Sequence, residues 1–202
     1  MKIVENMKKT SSKRKLNNRG FSLIELIVTL AIIVILAGAA AVTVSMLDSS
    51  YVEDAERGIK DYISLGRTKS MSVSASDWYV TVAKEDADYY VYLYKDIKKI
   101  VTEGGVDKEI TETVLVEKKK IGTKISITYK VNKEQPAKDV TEDKGLEFHF
   151  DPATGKIVKV KCDGGYVAQT DMASGIGYIG ISRNDYEINL KVFFNTGKCE
   201  RE

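Results

Sequence analysis

Glu25 is the residue whose chemistry most needs an explanation, because it stands inside an otherwise apolar stretch. Residues 19–30 read RGFSLIELIVTL. Glu25 is followed by 22 consecutive uncharged residues, from Leu26 to Leu47. As a helix this run would be ~33 Å long, about the hydrocarbon thickness of a bilayer. An ionised carboxylate that enters lipid costs on the order of a few kcal/mol. We therefore expect Glu25 to pair with another charge, with snorkelling to the headgroup region as the alternative.

Few other residues could perform chemistry. His149 is the sole histidine and lies in LEFHF, where we interpret it as an ordinary strand residue because a general base needs partners that are missing here. The sequence has no nucleophile elbow, phosphate-binding loop or histidine-rich metal motif. The acidic stretches at 142–144 and 163–165 are interpreted as turns, with calcium binding as the alternative. We expect no enzyme activity, no cofactor and no metal ion.

The first 20 residues carry the positive charge of the chain. They contain seven lysines and arginines against one acidic residue, a net charge of +6, and the whole chain has +2, which leaves −4 for residues 21–202. The basic balance is therefore not that of a nucleic-acid-binding domain. Basic residues directly before a spanning segment stay on the cytoplasmic side. We predict a single span with the N-terminus inside and the C-terminal domain outside.

Two ordinary explanations of this N-terminus compete. A secretory signal peptide has a basic region, an apolar core of about 7–15 residues and a small-residue cleavage site. Here the core is longer, although AGAAA at 37–41 could be mistaken for such a site. A plain signal anchor explains the basic leader and the apolar run. Neither explains the junction between Gly20 and Phe21 or the tolerance of Glu25.

Residues 19–36, RGFSLIELIVTLAIIVIL, closely resemble the N-terminal motif of type IV prepilins and of the pseudopilins of type II secretion systems. In that family a short basic leader ends in glycine, phenylalanine follows, and a glutamate is the fifth residue after the cut. The resemblance implies that a membrane prepilin peptidase cleaves between Gly20 and Phe21 and N-methylates Phe21. Lys15 and Arg19 would keep the cleavage site at the cytoplasmic face.

The resemblance also implies a role for Glu25 as the fifth mature residue. After cleavage, Phe21 would carry a cationic amine one helical turn away. The carboxylate could pair with that amine on its own chain or on a sister subunit, since unpaired charges are costly in apolar surroundings. Only one axial offset brings the two groups together, so Glu25 would set the register of subunits in a filament.

The helix is predicted to continue beyond the apolar run. Six residues fall on one helical stripe: Val52, Ala55, Ile59, Tyr62, Ile63 and Gly66. We predict one helix from about Phe21 to about Met71, ~75 Å long. Its first half would lie in lipid or in a filament core, and its second half would be amphipathic and packed on a sheet.

The remainder of the chain alternates with period two, which is typical of strands. Predicted strands cover 78–83, 89–95, 113–118, 124–131, 146–151, 156–162, 178–183 and 186–194. Turn residues at 103–105, 151–155 and 196–198 separate some of them. This order predicts an α+β fold, with a long helix packed on an antiparallel sheet, as in pilins. The predicted segments are a cleaved leader (1–20), an apolar helix (21–47), an amphipathic continuation (48–75) and an extracytoplasmic β domain (76–202).

Cys162 and Cys199 are the only cysteines, and both lie in the domain predicted to be exported. Two cysteines in an oxidising compartment are expected to form a disulfide, which would contribute ~3–4 kcal/mol on the loop-entropy model. Two buried free thiols are the alternative. Without further ligand residues they do not form a zinc site.

The predicted function is that of a pilin or pseudopilin with a prepilin peptidase, sister subunits and the membrane as partners. Strand hairpins that end in TGK at 196–198 also look like those of GspH/FimT-type minor pilins. Tyrosines at 89, 90, 92 and 94 could stack on single-stranded DNA, which some minor pilins bind, but packing between strands explains them better in an acidic mature chain. The competing hypothesis is a membrane-anchored extracytoplasmic binding module that does not polymerise.

Overall fold

The computed structural model describes residues 21–72, 76–103, 106–142 and 144–202. The predicted leader, including Lys15, Arg19 and Gly20, lies outside these residues, as do the two glycines of the predicted turn at 103–105. The chain divides into two compact units, residues 1–42 and residues 43–202.

The first element is the helix α1, which runs from Leu23 to Ser72 over 50 residues. These bounds lie close to those predicted from the sequence. In the unit of residues 1–42, the helix carries apolar side chains from Leu23 onward. Within the apolar run, residues 40–42, 44 and 45 have side chains outside the described part of the chain. Among the described residues, no helix combines the length and the hydropathy needed to cross a membrane.

Two antiparallel sheets form the body of residues 43–202. One has six strands in the order β3-β2-β1-β6-β7-β8, and the other has five in the order β11-β10-β9-β4-β5. The strands are β1 (Ser76–Glu85), β2 (Asp88–Glu103), β3 (Val106–Thr123), β4 (Ser126–Lys130), β5 (Lys138–Asp139), β6 (Leu146–Phe150), β7 (Ile157–Cys162), β8 (Gly165–Tyr166), β9 (Ile176–Arg183), β10 (Tyr186–Phe193) and β11 (Lys198–Arg201), with a 3₁₀ helix at Asp171–Ser174. The α+β arrangement predicted from the sequence is confirmed.

The sheets differ from the prediction in number and in strand length. Each predicted strand overlaps an observed one, but the strands divide between two sheets. The short strands β5, β8 and β11 were not predicted, because two to four residues show no periodicity. The hairpin of β2 and β3 extends well beyond its apolar part, and cross-strand ion pairs accompany the extension, with Lys98 Nζ lying 3.2 Å from Glu109 Oε1.

One core joins α1 to both sheets. The predicted stripe is buried throughout, and Val52, Ala55, Ile59 and Ile63 have no exposed surface. In β1 the alternation places Val80 and Val82 in the same core. Gly66 lets the helix approach the six-stranded sheet closely, because a Cβ there would lie 2.7 Å from Val80 Cγ2.

Buried polar groups attach the helix to the five-stranded sheet. The Asp48 carboxylate lies 2.7 Å from Arg183 Nε and accepts a hydrogen bond of 2.6 Å from Asn184 Nδ2. About two helical turns after Asp48, Glu56 is also buried. It pairs with Lys60 at 3.5 Å and with Arg201 at 3.6 Å. These contacts satisfy charges that would be costly if buried alone.

Candidate functional site

The start of α1 is built by a cap that involves Glu25. The backbone N–H of Glu25 donates to the Ser22 hydroxyl at 3.2 Å, and the N–H of Leu26 donates to the Ser22 carbonyl at 3.1 Å. Ser22 is therefore the N-cap residue and Glu25 occupies the third helical position. An acidic side chain in the first turn is also favoured by the positive end of the helix dipole.

Glu25 thus has a local role that our sequence analysis missed. Serine followed three residues later by glutamate is the capping-box pattern, and the apolar run directly after it strengthens that signal. The sequence from Ser22 to Glu25 contained this information. A helix-capping role and a register-setting role are compatible, because the cap uses the backbone N–H of Glu25 and leaves its exposed carboxylate free for another partner.

The predicted processing residues lie on both sides of the described boundary. Gly20 is outside the described residues, whereas Phe21 directly precedes the cap and its side chain is 78% exposed. Phe21 and Glu25 therefore lie within one turn of each other along the chain. The roles of Gly20 and Phe21 in processing and of Glu25 in register remain predictions.

The helical turns that follow expose apolar side chains in every direction. Eleven large apolar residues between positions 23 and 36 are each about half exposed or more: Leu23, Ile24, Leu26, Ile27, Val28, Leu30, Ile32, Ile33, Val34, Ile35 and Leu36. At 100° per residue, consecutive positions such as 32 to 36 cover the whole circumference of a helix. A helix that is apolar on all sides requires an apolar environment on all sides.

The predicted disulfide is not formed. Cys162 at the end of β7 and Cys199 in β11 are both free cysteines. Cys162 lines a cavity beside Val131 and Lys138, next to the β4–β5 edge of the five-stranded sheet, whereas Cys199 belongs to the opposite edge strand. Three to four strand spacings of about 4.8 Å separate these edges, and a disulfide needs Cα atoms within about 7 Å.

The tyrosines of β2 stack on one another across the six-stranded sheet. The ring centroids of Tyr92 and Tyr94 lie 5.8 Å apart, those of Tyr94 and Tyr79 lie 5.2 Å apart, and both pairs are nearly parallel. Tyr79 also stacks on His149 at 4.6 Å. Burial raises the pKa of Tyr79 to about 12. This packing between strands is the interpretation that the sequence favoured, and Tyr89 instead points into the core.

His149 belongs to a small polar group with Glu147 and Lys161. Its Nε2 atom lies 3.4 Å from Glu147 Oε2, and Lys161 Nζ lies 2.9 Å from Glu147 Oε1. Burial raises the pKa of the Glu147 carboxyl, but its interactions with His149 and Lys161 outweigh this and leave the pKa below its ordinary value. Among the described residues, no cluster of three or more histidine, cysteine, aspartate or glutamate side chains could hold a metal ion.

Comparison with known proteins bears on the N-terminal segment. Residues 15–41 match the family model described as the prokaryotic N-terminal methylation motif. The match confirms the motif that the sequence predicted, and it is consistent with a type IV prepilin or pseudopilin. No curated protein and no solved structure matches the chain.

Proposed function

We propose that this protein is a structural subunit of a type IV pilus-like or type II secretion-like filament. A prepilin peptidase cleaves the chain after Gly20 and methylates the new amine of Phe21. The mature subunit then assembles with sister subunits through the first part of α1. The observation that supports this proposal best is the apolar circumference of α1 at residues 23–36, which lie within the residues that match the methylation motif.

Leaving that surface in water would be costly. Burying one large aliphatic side chain is worth about 1.5–3 kcal/mol, and eleven such side chains are exposed between Leu23 and Leu36. Even when each is only half exposed, the sum is about 8–17 kcal/mol, which is comparable with the whole stability of an ordinary domain, about 5–15 kcal/mol. Lipid before assembly and neighbouring helices after assembly both supply the required apolar environment.

In this proposal the apolar run anchors the subunit in the membrane before it enters the filament. The support comes from the sequence, because the run from Leu26 to Leu47 is uncharged over 22 residues and follows a basic leader. The basic leader places the N-terminus inside and residues 43–202 outside. The assembled filament then presents residues 43–202 at the cell surface or in the periplasm.

Glu25 selects the register of the incoming subunit in this proposal. Its carboxylate is exposed at the helix start, so it is available to the amine of Phe21 on a sister subunit. An ion pair between the two is worth most in the apolar surroundings that assembly creates. We also propose that the subunit is a minor pilin of the GspH/FimT type. The support for this subtype is the TGK sequence at 196–198.

Intact-mass measurement of the membrane-extracted protein tests the processing step. The expected mass is that of residues 21–202 with one added methyl group. A chain that retains residues 1–20 would instead support a membrane-anchored binding module that does not polymerise.

Three variants separate the two roles of Glu25. Glu25→Gln and Glu25→Ala remove the charge but keep the backbone N–H that the cap uses, whereas Ser22→Ala removes the cap acceptor and keeps the carboxylate. We expect normal cleavage in all three by intact mass, and filaments by electron microscopy only in Ser22→Ala. Filaments with a normal yield from Glu25→Gln would exclude the register role, and a loss in Ser22→Ala with normal yields from both Glu25 variants would assign the effect to the cap.

A further inference from the structure

A cavity of about 360 Å³ opens beside the last turns of α1 and the turn between β10 and β11. The helix contributes Lys60, Ser64 and Arg67 to its lining, and the start of β11 contributes Lys198. These residues lie within residues 43–202 and far along the chain from the methylation motif.

Arg67 is held in this cavity by two turns from different sheets. Its side chain lies against Gly155, in the turn before β7, and against Gly197, in the turn before β11. A Cβ at Gly155 would lie 2.9 Å from Arg67 Cγ, and a Cβ at Gly197 would lie 3.1 Å from Arg67 Cδ. Both glycines have positive φ values, 69° and 64°, which other residues rarely adopt. The arginine stem is therefore fixed before any ligand arrives.

The guanidinium of Arg67 has no partner among the described residues. Its Nε atom is buried and makes no hydrogen bond, and no ion pair within 4 Å involves Arg67. A buried donor without a partner costs about 1–3 kcal/mol. By contrast, Arg57 on the same helix pairs with Glu53 at 3.5 Å although its side chain is 69% exposed.

Arg67 is a cation of this cavity that lacks an ionic partner among the described residues. Lys60 pairs with Glu56 at 3.5 Å, and the side chains of Lys198, Asp61 and Glu200 are exposed to solvent. Cys199 adds no charge at neutral pH, because burial raises the pKa of its thiol to about 12. The planar guanidinium presents parallel N–H donors that match the oxygens of a carboxylate or a phosphate.

We propose that Arg67, supported by Ser64 and Lys198, forms a preorganised binding site for an oxyanion, that is, a carboxylate or phosphate group. The group belongs either to a free anion or to a second copy of this chain. The ligand pairs with the guanidinium of Arg67, and the contacts with the two glycine turns lower the entropic cost of ordering the arginine stem. The site is independent of processing at Gly20 and of assembly through α1.

NMR of the arginine Nε–Hε groups of the full chain in detergent tests this proposal. Titration with inorganic phosphate and separately with acetate should shift the Arg67 signal saturably at millimolar concentrations, while the Arg57 signal stays in place. If a second copy of the chain supplies the oxyanion, the Arg67 signal should shift with protein concentration in the absence of added anion. Added phosphate should then bring the signal to one position at all protein concentrations. Absence of any shift, or an equal shift of Arg57, would overturn the proposal.

Substitutions provide the matched controls. Arg67→Gln should abolish saturable phosphate binding measured by ³¹P line broadening, whereas Arg57→Gln should bind as the wild type does. Lys198→Gln removes an exposed charge and is expected to weaken binding several-fold without unfolding the protein, so it keeps the test decisive if Arg67→Gln does not fold. Unchanged binding in both Arg67→Gln and Lys198→Gln would contradict the assignment.

Discussion

The two halves of α1 share one secondary structure but bury their side chains in opposite ways. From Leu23 to Leu36 apolar residues surround the helix and remain exposed, whereas from Val52 to Ile63 they form one stripe without exposed surface. The apolar side chains of the second stretch pack against the sheets of the same chain. The apolar side chains of the first stretch stay exposed, and in our proposal this is the part that contacts lipid or other subunits.

The largest expected effect comes from a charge in the first stretch. Ile33→Asp should abolish filament formation, since a charge within an apolar environment costs about 3 kcal/mol, about a hundredfold in an equilibrium constant. The urea unfolding of residues 43–202 should stay unchanged, followed by the fluorescence of Trp78, the single tryptophan, which is buried. The matched control is Arg57→Asp on the exposed side of the second stretch, where the side chain of Arg57 is 69% exposed. If both variants form filaments, the contrast between the halves has no functional meaning.

Truncating a buried side chain of the second stretch should lower stability, unlike the same change in the first stretch. Ile59→Ala removes buried methyl groups from the core and should lower the free energy of unfolding by about 2–5 kcal/mol. The Ile33→Ala variant, which truncates an exposed side chain, should lie within about 0.5 kcal/mol of the wild type. Equal losses in Ile59→Ala and Ile33→Ala would show that the first stretch also packs within its own chain.

The polar attachment of the helix should contribute less than its core. Asp48→Asn leaves Arg183 without its carboxylate partner at 2.7 Å and should cost about 2 kcal/mol in urea unfolding. Asp54→Asn, which removes an exposed carboxylate 3.7 Å from Arg57, should cost less than about 1 kcal/mol. A cost for Asp54→Asn as large as that for Asp48→Asn would mean that burial does not govern these pairs.

The smallest expected effect concerns Tyr62, which donates a 2.7 Å hydrogen bond to Glu117. Tyr62→Phe should cost about 1 kcal/mol at neutral pH. Burial and the neighbouring Glu117 carboxylate raise the pKa of Tyr62 above its usual value of 10.0. Since the folded state keeps this proton longer than the unfolded state, stability is fully present below pH 10.0 and falls as the pH rises above it.

Unfolding curves measured across that alkaline range check the sign. Tyr62→Phe should show a shallower loss of stability above pH 10.0 than the wild type. At neutral pH, Tyr166→Phe, whose side chain is 63% exposed, should unfold within about 0.5 kcal/mol of the wild type. An identical alkaline slope in Tyr62→Phe and the wild type would contradict the role of this buried hydroxyl.

Local patterns predicted the elements well but not their assembly. The stripe through Val52 and Ile63 predicted the buried face of α1, because helical periodicity is a property of neighbouring residues. The capping box at Ser22 was also readable from the sequence and was overlooked. The division into two sheets was not readable, since strand alternation is the same whichever sheet a strand joins.

By itself, the sequence determined the methylation motif and the apolar run that overlaps it. It also determined which stripe of the helix is buried and that the fold is of the α+β class. Each depends on the types and spacing of residues close together in the chain. Only the tertiary structure decided that Cys162 and Cys199 lie beside opposite edges of a sheet, and that Gly155 and Gly197 meet around Arg67. Such contacts depend on strand order and on the approach of distant turns, which local periodicity does not encode.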